Sequence, residues 1–315
     1  MNIEYAILSN PLPEQFVEWY PYAKPALMLP DSAHWLDSMQ RMIHDDLPGW
    51  VHHFSTARDA DRDAYVGVAW LGLTTATPEL GHFGWFLVEE AYRGTGVGRE
   101  TLNRALAFFD ERKVEMVMLP TLLSTVHARG MYSRRGFVDL IAQKEDGRCW
   151  MIRGPEGHFE EYFITDGPVA IEPMEEKDWL AFDYLLNHER AISRLYPVGL
   201  TGERRVISLT RVADWGEGVR EIAIRRGERM CGFIVMRETG GGVAAGFYTP
   251  DESLAAEAVQ YLKRECRERL AVTAASRDEM KGRVLQANGM RQVESFGEKP
   301  FGKENEEEFT VWRPA

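Results

Sequence analysis

Cysteine is scarce in this chain: Cys149, Cys231 and Cys266 are the only three in 315 residues. Three thiols leave one over in any disulfide scheme, and their spacing matches no zinc-ligand pattern, so no metal site is expected. A reducing cytoplasm is the expected location. Long apolar runs are missing too. No stretch approaches the ~20 residues that span a bilayer, and Met1-Asn2-Ile3-Glu4-Tyr5 has no basic-then-apolar leader. Neither membrane insertion nor a signal peptide is expected. Positive charge is in deficit: 37 Lys and Arg stand against 49 Asp and Glu, a formal net charge of −12. A nucleic-acid protein needs a basic face to meet phosphates, and this balance argues against one. It suits a cationic or amine substrate weakly, because surface acidity serves solubility first.

What is present is ordinary for a globular protein, 44% apolar and 27% charged residues. The length is comfortable for two domains. One stretch stands out: Val88-Glu89-Glu90-Ala91-Tyr92-Arg93-Gly94-Thr95-Gly96-Val97-Gly98-Arg99. A strand-like run from Phe83 to Val88 leads in, and a helix-like run from Glu100 to Arg112 leads out. A glycine-rich turn at a helix start presents N–H groups without intrahelical partners, and the helix dipole adds positive charge. Such a turn can hold a phosphate; a plain tight connection would use the same glycines. The absence of a Gly-Lys-Ser/Thr ending excludes a P-loop, and the glycine spacing differs from the dinucleotide fingerprint.

The surrounding elements narrow the choice. Asn2–Leu8 reads as a strand broken by Pro11 and Pro13, followed by helices over Pro13–Tyr20 and Ser32–Asp46. The Met and aromatic residues of Trp19–Trp35 read as core, and Asp31, Asp37, Asp45 and Asp46 as a solvated face. Val51–Ala57, Tyr65–Thr75 and Leu80–Val88 are three β-branched and aromatic strands. After the helix come a strand at Met116–Pro120, a helix at Thr125–Arg134, and strands at Gly136–Ile141 and Cys149–Arg153.

Arg93-Gly94-Thr95-Gly96-Val97-Gly98 fits Arg/Gln-x-x-Gly-x-Gly/Ala. About thirty-five residues on, Ala128-Arg129-Gly130-Met131-Tyr132-Ser133-Arg134-Arg135-Gly136-Phe137 fits Ala-x-x-x-Tyr-x-x-x-Gly-Phe. In this order and on these elements, the pair resembles the acyl-CoA signatures of the GNAT superfamily of N-acetyltransferases. The resemblance covers residues 1–155. It implies an α/β (α+β) fold: a mixed central sheet flanked by helices, whose two central parallel strands splay apart to admit acyl-CoA. It also implies acetyl-CoA as acyl donor and a small-molecule or peptide amine as acceptor.

By the same resemblance the backbone of Arg93, Gly94, Thr95, Gly96, Val97, Gly98 and Arg99 holds the pyrophosphate. Phe86, Leu87 and Val88 pair with the pantetheine arm, and Tyr132 stands near the sulfur as general acid. A phenol with a reference pKa near 10 holds its proton at neutral pH. Thr125 occupies the place where the family often has asparagine, and its shorter side chain implies a different hold on the cofactor arm. His127, near the helix start, is expected beside the CoA phosphates. His82 is the first choice of base; lying six residues before Val88 on one strand, it is expected to share that residue's face. Glu79, at the strand's beginning, is the second choice. His52 and His53 are adjacent, so they point to opposite faces and make no metal pair. Cys149 has no matched histidine and is not expected to act as a nucleophile.

Residues 156–168 read as a linker, after which the succession of elements starts again. Val169–Met174 is a strand and Glu175–Asn187 a helix. Strands follow at Arg220–Arg225, Met230–Glu238 and Gly242–Thr249, then a helix at Ser253–Arg267, a strand at Leu270–Ala275, a helix at Asp278–Asn288, and strands at Met290–Phe296 and Phe309–Arg313. The order over 169–315 resembles a second, degenerate GNAT-like domain. Its loop is Tyr248-Thr249-Pro250-Asp251-Glu252-Ser253. Asp251 and Glu252 suit a helix N-terminus and would repel a pyrophosphate, so this domain is expected to be catalytically silent. A non-catalytic acyl-CoA sensor or assembly protein is the alternative reading of the whole chain. Monomer and homodimer are both left open.

Overall fold

The computed structural model describes residues 2–23, 40–44, 46–143, 148–187, 218–298 and 307–315. Most of the helix expected at Ser32–Asp46, with Asp31, Asp37 and Asp45, lies outside the described residues. The chain divides into two compact units: residues 1–120, 127–137 and 152–154 form one, and residues 121–126, 138–151 and 155–315 the other.

The first sheet has seven strands: β1 (Ile3–Ser9), β2 (Trp50–Asp59), β3 (Ala64–Thr74), β4 (Leu80–Val88), β5 (Met116–Leu122), β6 (Val138–Gln143) and β7 (Arg148–Arg153). Their order across the sheet is β1-β2-β3-β4-β5-β7-β6. β1 to β4 form an antiparallel meander. Every residue of β3 after Ala64 is buried, as a strand covered on both faces must be. One face takes helix α2 (Val97–Glu111), whose Leu102, Ala105, Leu106 and Phe109 form its apolar stripe. The other takes α1 (Glu14–Ala23), where Phe16 and Tyr20 pack edge to ring against Phe54 at 5.1 and 5.2 Å. Helix α3 (Val126–Ser133) follows β5.

β4 and β5 run parallel but pair over only three positions, Leu80–Met116, Gly81–Val117 and His82–Met118. The ladder stops there, although β4 continues to Val88.

The second sheet repeats this plan. Its strands are β8 (Val169–Pro173), β9 (Val219–Arg226), β10 (Arg229–Thr239), β11 (Gly242–Tyr248), β12 (Leu270–Ala275), β13 (Met290–Glu298) and β14 (Glu307–Pro314). They lie in the order β8-β9-β10-β11-β12-β14-β13, the same permutation as in the first sheet. β11 and β12 are again parallel, and again over three pairs. Two mixed seven-stranded sheets in tandem, each flanked by helices, make the architecture a duplicated α/β fold. Residues 156–168 hold a short helix, α4 (His158–Phe163), which buries Phe159, Tyr162 and Phe163. Those aromatics recur at i, i+3 and i+4, one helical face. The Arg229 guanidinium of β10 lies 4.3 Å over the Tyr162 ring and donates to its carbonyl at 3.3 Å.

Helix α5 (Trp179–Asn187) packs on β10 through Phe182 and Phe233, ring centroids 4.7 Å apart. This face of the second sheet carries buried charge. Arg225 forks onto Asp178, with Nη1 and Nη2 donating to the two carboxylate oxygens at 2.6 and 2.5 Å. Asp183, on α5, is fully buried with neither oxygen hydrogen-bonded among the described residues. Burial pushes its carboxyl well above the usual range. Glu221 stands opposite Val235, two residues along β10 from Phe233, and burial pushes it up to about 8. A carboxyl raised on folding binds a proton that the unfolded chain releases near its ordinary value of 4.5. Stability is therefore expected to fall as pH rises from about 4.5 to about 8. Glu221→Gln is expected to flatten that slope in denaturant titrations at pH 5 and pH 8. An unchanged slope would contradict the assignment.

Candidate active site

Where β4 ends, the chain makes a single 3₁₀ turn (Glu90–Tyr92) and then the glycine loop before α2. Gly94 and Gly96 have φ of +78° and +96°, the left-handed region that costs other L-residues ~1–2 kcal/mol. Gly96 is the N-cap of α2 and, having no side chain, caps nothing. The first intrahelical bond across the start runs from the Glu100 amide to the Gly96 carbonyl at 3.0 Å. The amides of Val97, Gly98 and Arg99 precede it and face outward from the helix end. Gly98 answers a different need: a Cβ there would lie 3.2 Å from Val88 Cγ2 and 3.4 Å from Phe86 Cζ. Outside Gly94 the loop is open, with nothing within 4 Å of a Cβ. Thr95 turns its hydroxyl back onto the Tyr92 carbonyl at 2.7 Å, and Arg93 Nε donates to the Val88 carbonyl at 3.1 Å. These residues come together in one turn, in which the Arg93 and Thr95 amides donate to the Glu90 and Tyr92 carbonyls at 3.1 and 3.4 Å.

Three residues brace the loop from below. Tyr92 Oη donates to Asp59 Oδ2 at 2.5 Å, and Arg62 Nη1 donates to Tyr92 Oη at 3.0 Å. The hydrogen bond from Tyr92 holds the Asp59 carboxyl below its usual range. Asp59 ends β2, thirty-three positions before Tyr92. Sequence reasoning missed this support, because only the β2–β3 turn brings the two together.

β4 contains a bulge. Gly84 pairs with Trp70 and Leu87 with Val68, so three steps on β4 match two on β3. Trp85 absorbs the extra residue at φ +51°. The bulge overturns the expectation that His82 shares a face with Val88. His82, Gly84 and Leu87 stand opposite Gly72, Trp70 and Val68 on one face; Phe83 and Val88 stand opposite Leu71 and Gly67 on the other. His82 is 1% exposed, with its ring 4.9 Å from Trp70. Trp70 Nε1 in turn donates to His52 Nδ1 at 3.2 Å, so that nitrogen carries no proton. His53 lies on the opposite face, 2.6 Å from Ser9 Oγ and against Phe108 of α2.

Tyr132 stands on the Phe83 side. Its ring lies 5.9 Å from Phe83, 6.4 Å from Phe86 and 6.0 Å from Phe137, and it is 5% exposed. Burial pushes the phenol far above its ordinary value of 10. Tyr132 and the His82 side chain thus lie on opposite faces of β4, close to where β4 and β5 part. Glu79 does not join them. Its carbonyl receives the Glu115 and Met116 amides at 2.7 and 3.2 Å, at the paired end of the strand. From there to Phe86 is roughly 20 Å of strand. Thr125 Oγ1 donates to the Leu122 carbonyl at 2.6 Å in the turn before α3, and His127 is exposed in that helix's first turn. Cys149 is fully buried. Among the described residues no group of His, Cys, Asp or Glu is arranged to hold a metal ion, and no helix is long and apolar enough to cross a membrane.

The second domain closes both features. Eight residues (89–96) separate β4 from α2, but three (249–251) separate β11 from α6 (Glu252–Cys266). Asp251 caps that helix, accepting from the Ser253 and Leu254 amides, and Arg226 Nη2 pairs with it at 3.2 Å. Past the last β11–β12 pair, Lys281 of helix α7 (Glu279–Ala287) places its ammonium 3.4 Å from the Phe247 carbonyl and 4.5 Å over the Phe247 ring.

A mixed sheet whose two parallel strands part after three pairs, beside a glycine loop at a helix start, is the arrangement that the resemblance implied. Residues 13–137 match the profile of the acetyltransferase (GNAT) family, and this part of the chain is a GNAT acetyltransferase domain. That family transfers acyl groups from acyl-CoA. Similar solved structures include a GNAT-family acetyltransferase from Staphylococcus aureus, 16% identical, covering 48% of this chain and 98% of its own, at a TM-score of 0.38. ElaA from Escherichia coli is 21% identical and covers 48% of this chain and 99% of its own, at 0.40. A NatC complex bound to Gag peptide and CoA is 19% identical and covers 49% of this chain and 99% of the matched one, at 0.41. No curated protein matches the chain.

Proposed function

We propose that this chain is an acetyl-CoA-dependent N-acetyltransferase acting on a primary amine of a small molecule or peptide. The observation that carries the reading is the open N-terminus of α2 behind Gly94 and Gly96, set beside a parallel pair that parts after His82. The turn from Arg93 to Arg99 holds the pyrophosphate, chiefly through the Val97, Gly98 and Arg99 amides at the helix start, since those of Arg93 and Thr95 already donate to the Glu90 and Tyr92 carbonyls. The backbone of Phe86, Leu87 and Val88 pairs with the pantetheine arm, and its N–H groups stabilise the oxyanion that forms when the amine attacks the thioester. Side-by-side binding makes a covalent acyl-enzyme unnecessary.

Tyr132 meets the departing sulfur from the Phe83 face. Burial holds its phenol above 10, whereas a thiol has a reference value near 8.5. Complete proton transfer to the thiolate is therefore uphill, and the role of Tyr132 is a hydrogen bond that strengthens as charge develops on sulfur. The amine arrives from the opposite face, where His82 accepts its proton directly or through water. Glu79 is set aside as a base by its distance. Thr125 and His127 contribute at the edge of the donor site. The second domain takes no part in acyl transfer, since Asp251 and Lys281 occupy its equivalents of the loop and the notch.

The test is release of free CoA from acetyl-CoA in the presence of a panel of amines, with calorimetric titration of acetyl-CoA alongside. Amine-dependent release with one acetyl-CoA bound per chain is the expected result. Binding without release from any amine would favour the sensor reading. No binding would overturn the assignment of the loop.

A further inference from the structure

The glycine loop has few contacts of its own to hold it. Glycine constrains its backbone least of all residues. Among the described residues, no atom lies within 4 Å of a Cβ built on Gly94, and one on Gly96 meets only Arg99 Nη2, at 3.7 Å. Any ordering left until a ligand arrives is subtracted from its affinity. A loop that binds well must therefore be fixed from outside.

Tyr92 meets this need at both of its ends. On the loop side, its carbonyl accepts from the Thr95 hydroxyl at 2.7 Å and the Thr95 amide at 3.4 Å, and its own amide donates to the Glu89 carbonyl at 2.9 Å. Its ring is 5% exposed and packs with Ala57, Val66 and Val97, the first residue of α2. Beyond the ring, the hydroxyl donates to Asp59 Oδ2 and accepts from Arg62 Nη1. The loop backbone and the helix start are both referred to this one side chain.

The anchor is itself fixed. Asp59 stands between Ile3 and Ala64 in the sheet, and its Oδ1 accepts the Asp61 amide at 3.0 Å. The turn behind it is tied to β1, where the Ala60 amide donates to the Asn2 carbonyl at 2.9 Å. It is tied to α1 as well, where Gln15 Nε2 donates to the Asp63 carbonyl at 2.6 Å. A hydrogen bond to a carboxylate is among the strong ones. One that served only the hairpin would join β2 to β3. This one leaves the hairpin and ends on the residue from which the loop hangs.

We propose that Tyr92 and Asp59 are positioning residues for the acyl-CoA donor: their hydrogen bond holds the loop in its binding geometry before the donor arrives, so that affinity is set in part by a pair that never touches the donor. The proposal rests on the loop being the acyl-CoA site, and the test separates the two.

Acetyl-CoA is titrated calorimetrically into the full chain at a temperature where thermal melts show every variant folded. Tyr92→Phe keeps the ring and loses the anchor; Asp59→Ala loses it from the other side. Each is expected to raise Kd by ~10-fold, the scale of one hydrogen bond to a charged group. The double variant is expected to lose no more than the larger single loss, because both changes remove one interaction. Asp59→Asn keeps a polar partner for the Tyr92 hydroxyl and is expected to recover most of the affinity. Arg62 is exposed, so Arg62→Gln decides the matter where the buried variants do not fold; it is expected to raise Kd by about 3-fold. A lowered thermal midpoint with an unchanged Kd would make the pair a brace of the hairpin alone, overturning the proposal and leaving the loop assignment standing. Losses that add in the double variant, or no recovery in Asp59→Asn, would overturn it as well. Failure of the wild type to bind acetyl-CoA would remove the loop assignment and the positioning role with it.

Discussion

Gly96→Glu is expected to lower acetyl-CoA affinity by at least ~100-fold while the protein stays folded. Two effects add. The backbone at φ +96° imposes ~1–2 kcal/mol of strain on any side chain. The new carboxylate also competes with the incoming pyrophosphate for the same amides and repels it. Together these are worth about 3 kcal/mol, and each 1.4 kcal/mol is tenfold in Kd. A negative charge at a helix N-terminus stabilises the ligand-free helix, so the fold is kept while the loss falls on binding. Gly96→Ala isolates the strain and should cost much less affinity. Calorimetric titration reads both variants. If Gly96→Glu binds acetyl-CoA within a factor of about three of wild type, the loop does not hold the pyrophosphate.

Tyr132→Phe is expected to reduce kcat by ~100- to 1,000-fold, the usual contribution of a positioned proton or hydrogen-bond donor, with acetyl-CoA affinity unchanged within about 2-fold. The ring survives the substitution, so its packing against Phe83, Phe86 and Phe137 remains. What disappears is the phenol O–H proposed to donate to the sulfur. A loss confined to kcat identifies an interaction made mainly in the transition state. Wild-type turnover in Tyr132→Phe would remove the residue from the chemistry and leave it a core aromatic.

Both substitutions rest on elements that a sequence can carry. Gly96 sits in a local motif, where the spacing of glycines already specifies a turn feeding a helix. Tyr132 is found by its register with Gly136 and Phe137, also a local pattern. Both elements are legible because helix starts and stops are decided within a few residues.

His82 shows where that reasoning ends. Simple alternation placed it on the face of Val88, and the bulge at Trp85 moved it to the other side. A bulge is a property of two paired strands, set by how Trp70 and Gly84 pack, and leaves no mark in the period of one strand. Glu79 is a related case: its place on the strand was legible, but not which end of the strand stays paired. The linker at 156–168 looked acidic and irregular, yet Phe159, Tyr162 and Phe163 fold it into a helix because the second sheet offers them a surface.

The sequence by itself determined the strand-loop-helix that presents backbone amides, the tyrosine helix that follows, and the repeat of elements after residue 168. These depend on periodicity and turn chemistry, which act over a handful of neighbours. Only the tertiary structure decided which face each side chain of β4 takes, that Asp59 and Arg62 brace Tyr92 from a distant turn, and that Arg135 is carried to Asn103. Those contacts join positions thirty or more residues apart. Their geometry follows from strand register and packing against a shared sheet, and neither quantity is written in any short stretch of chain.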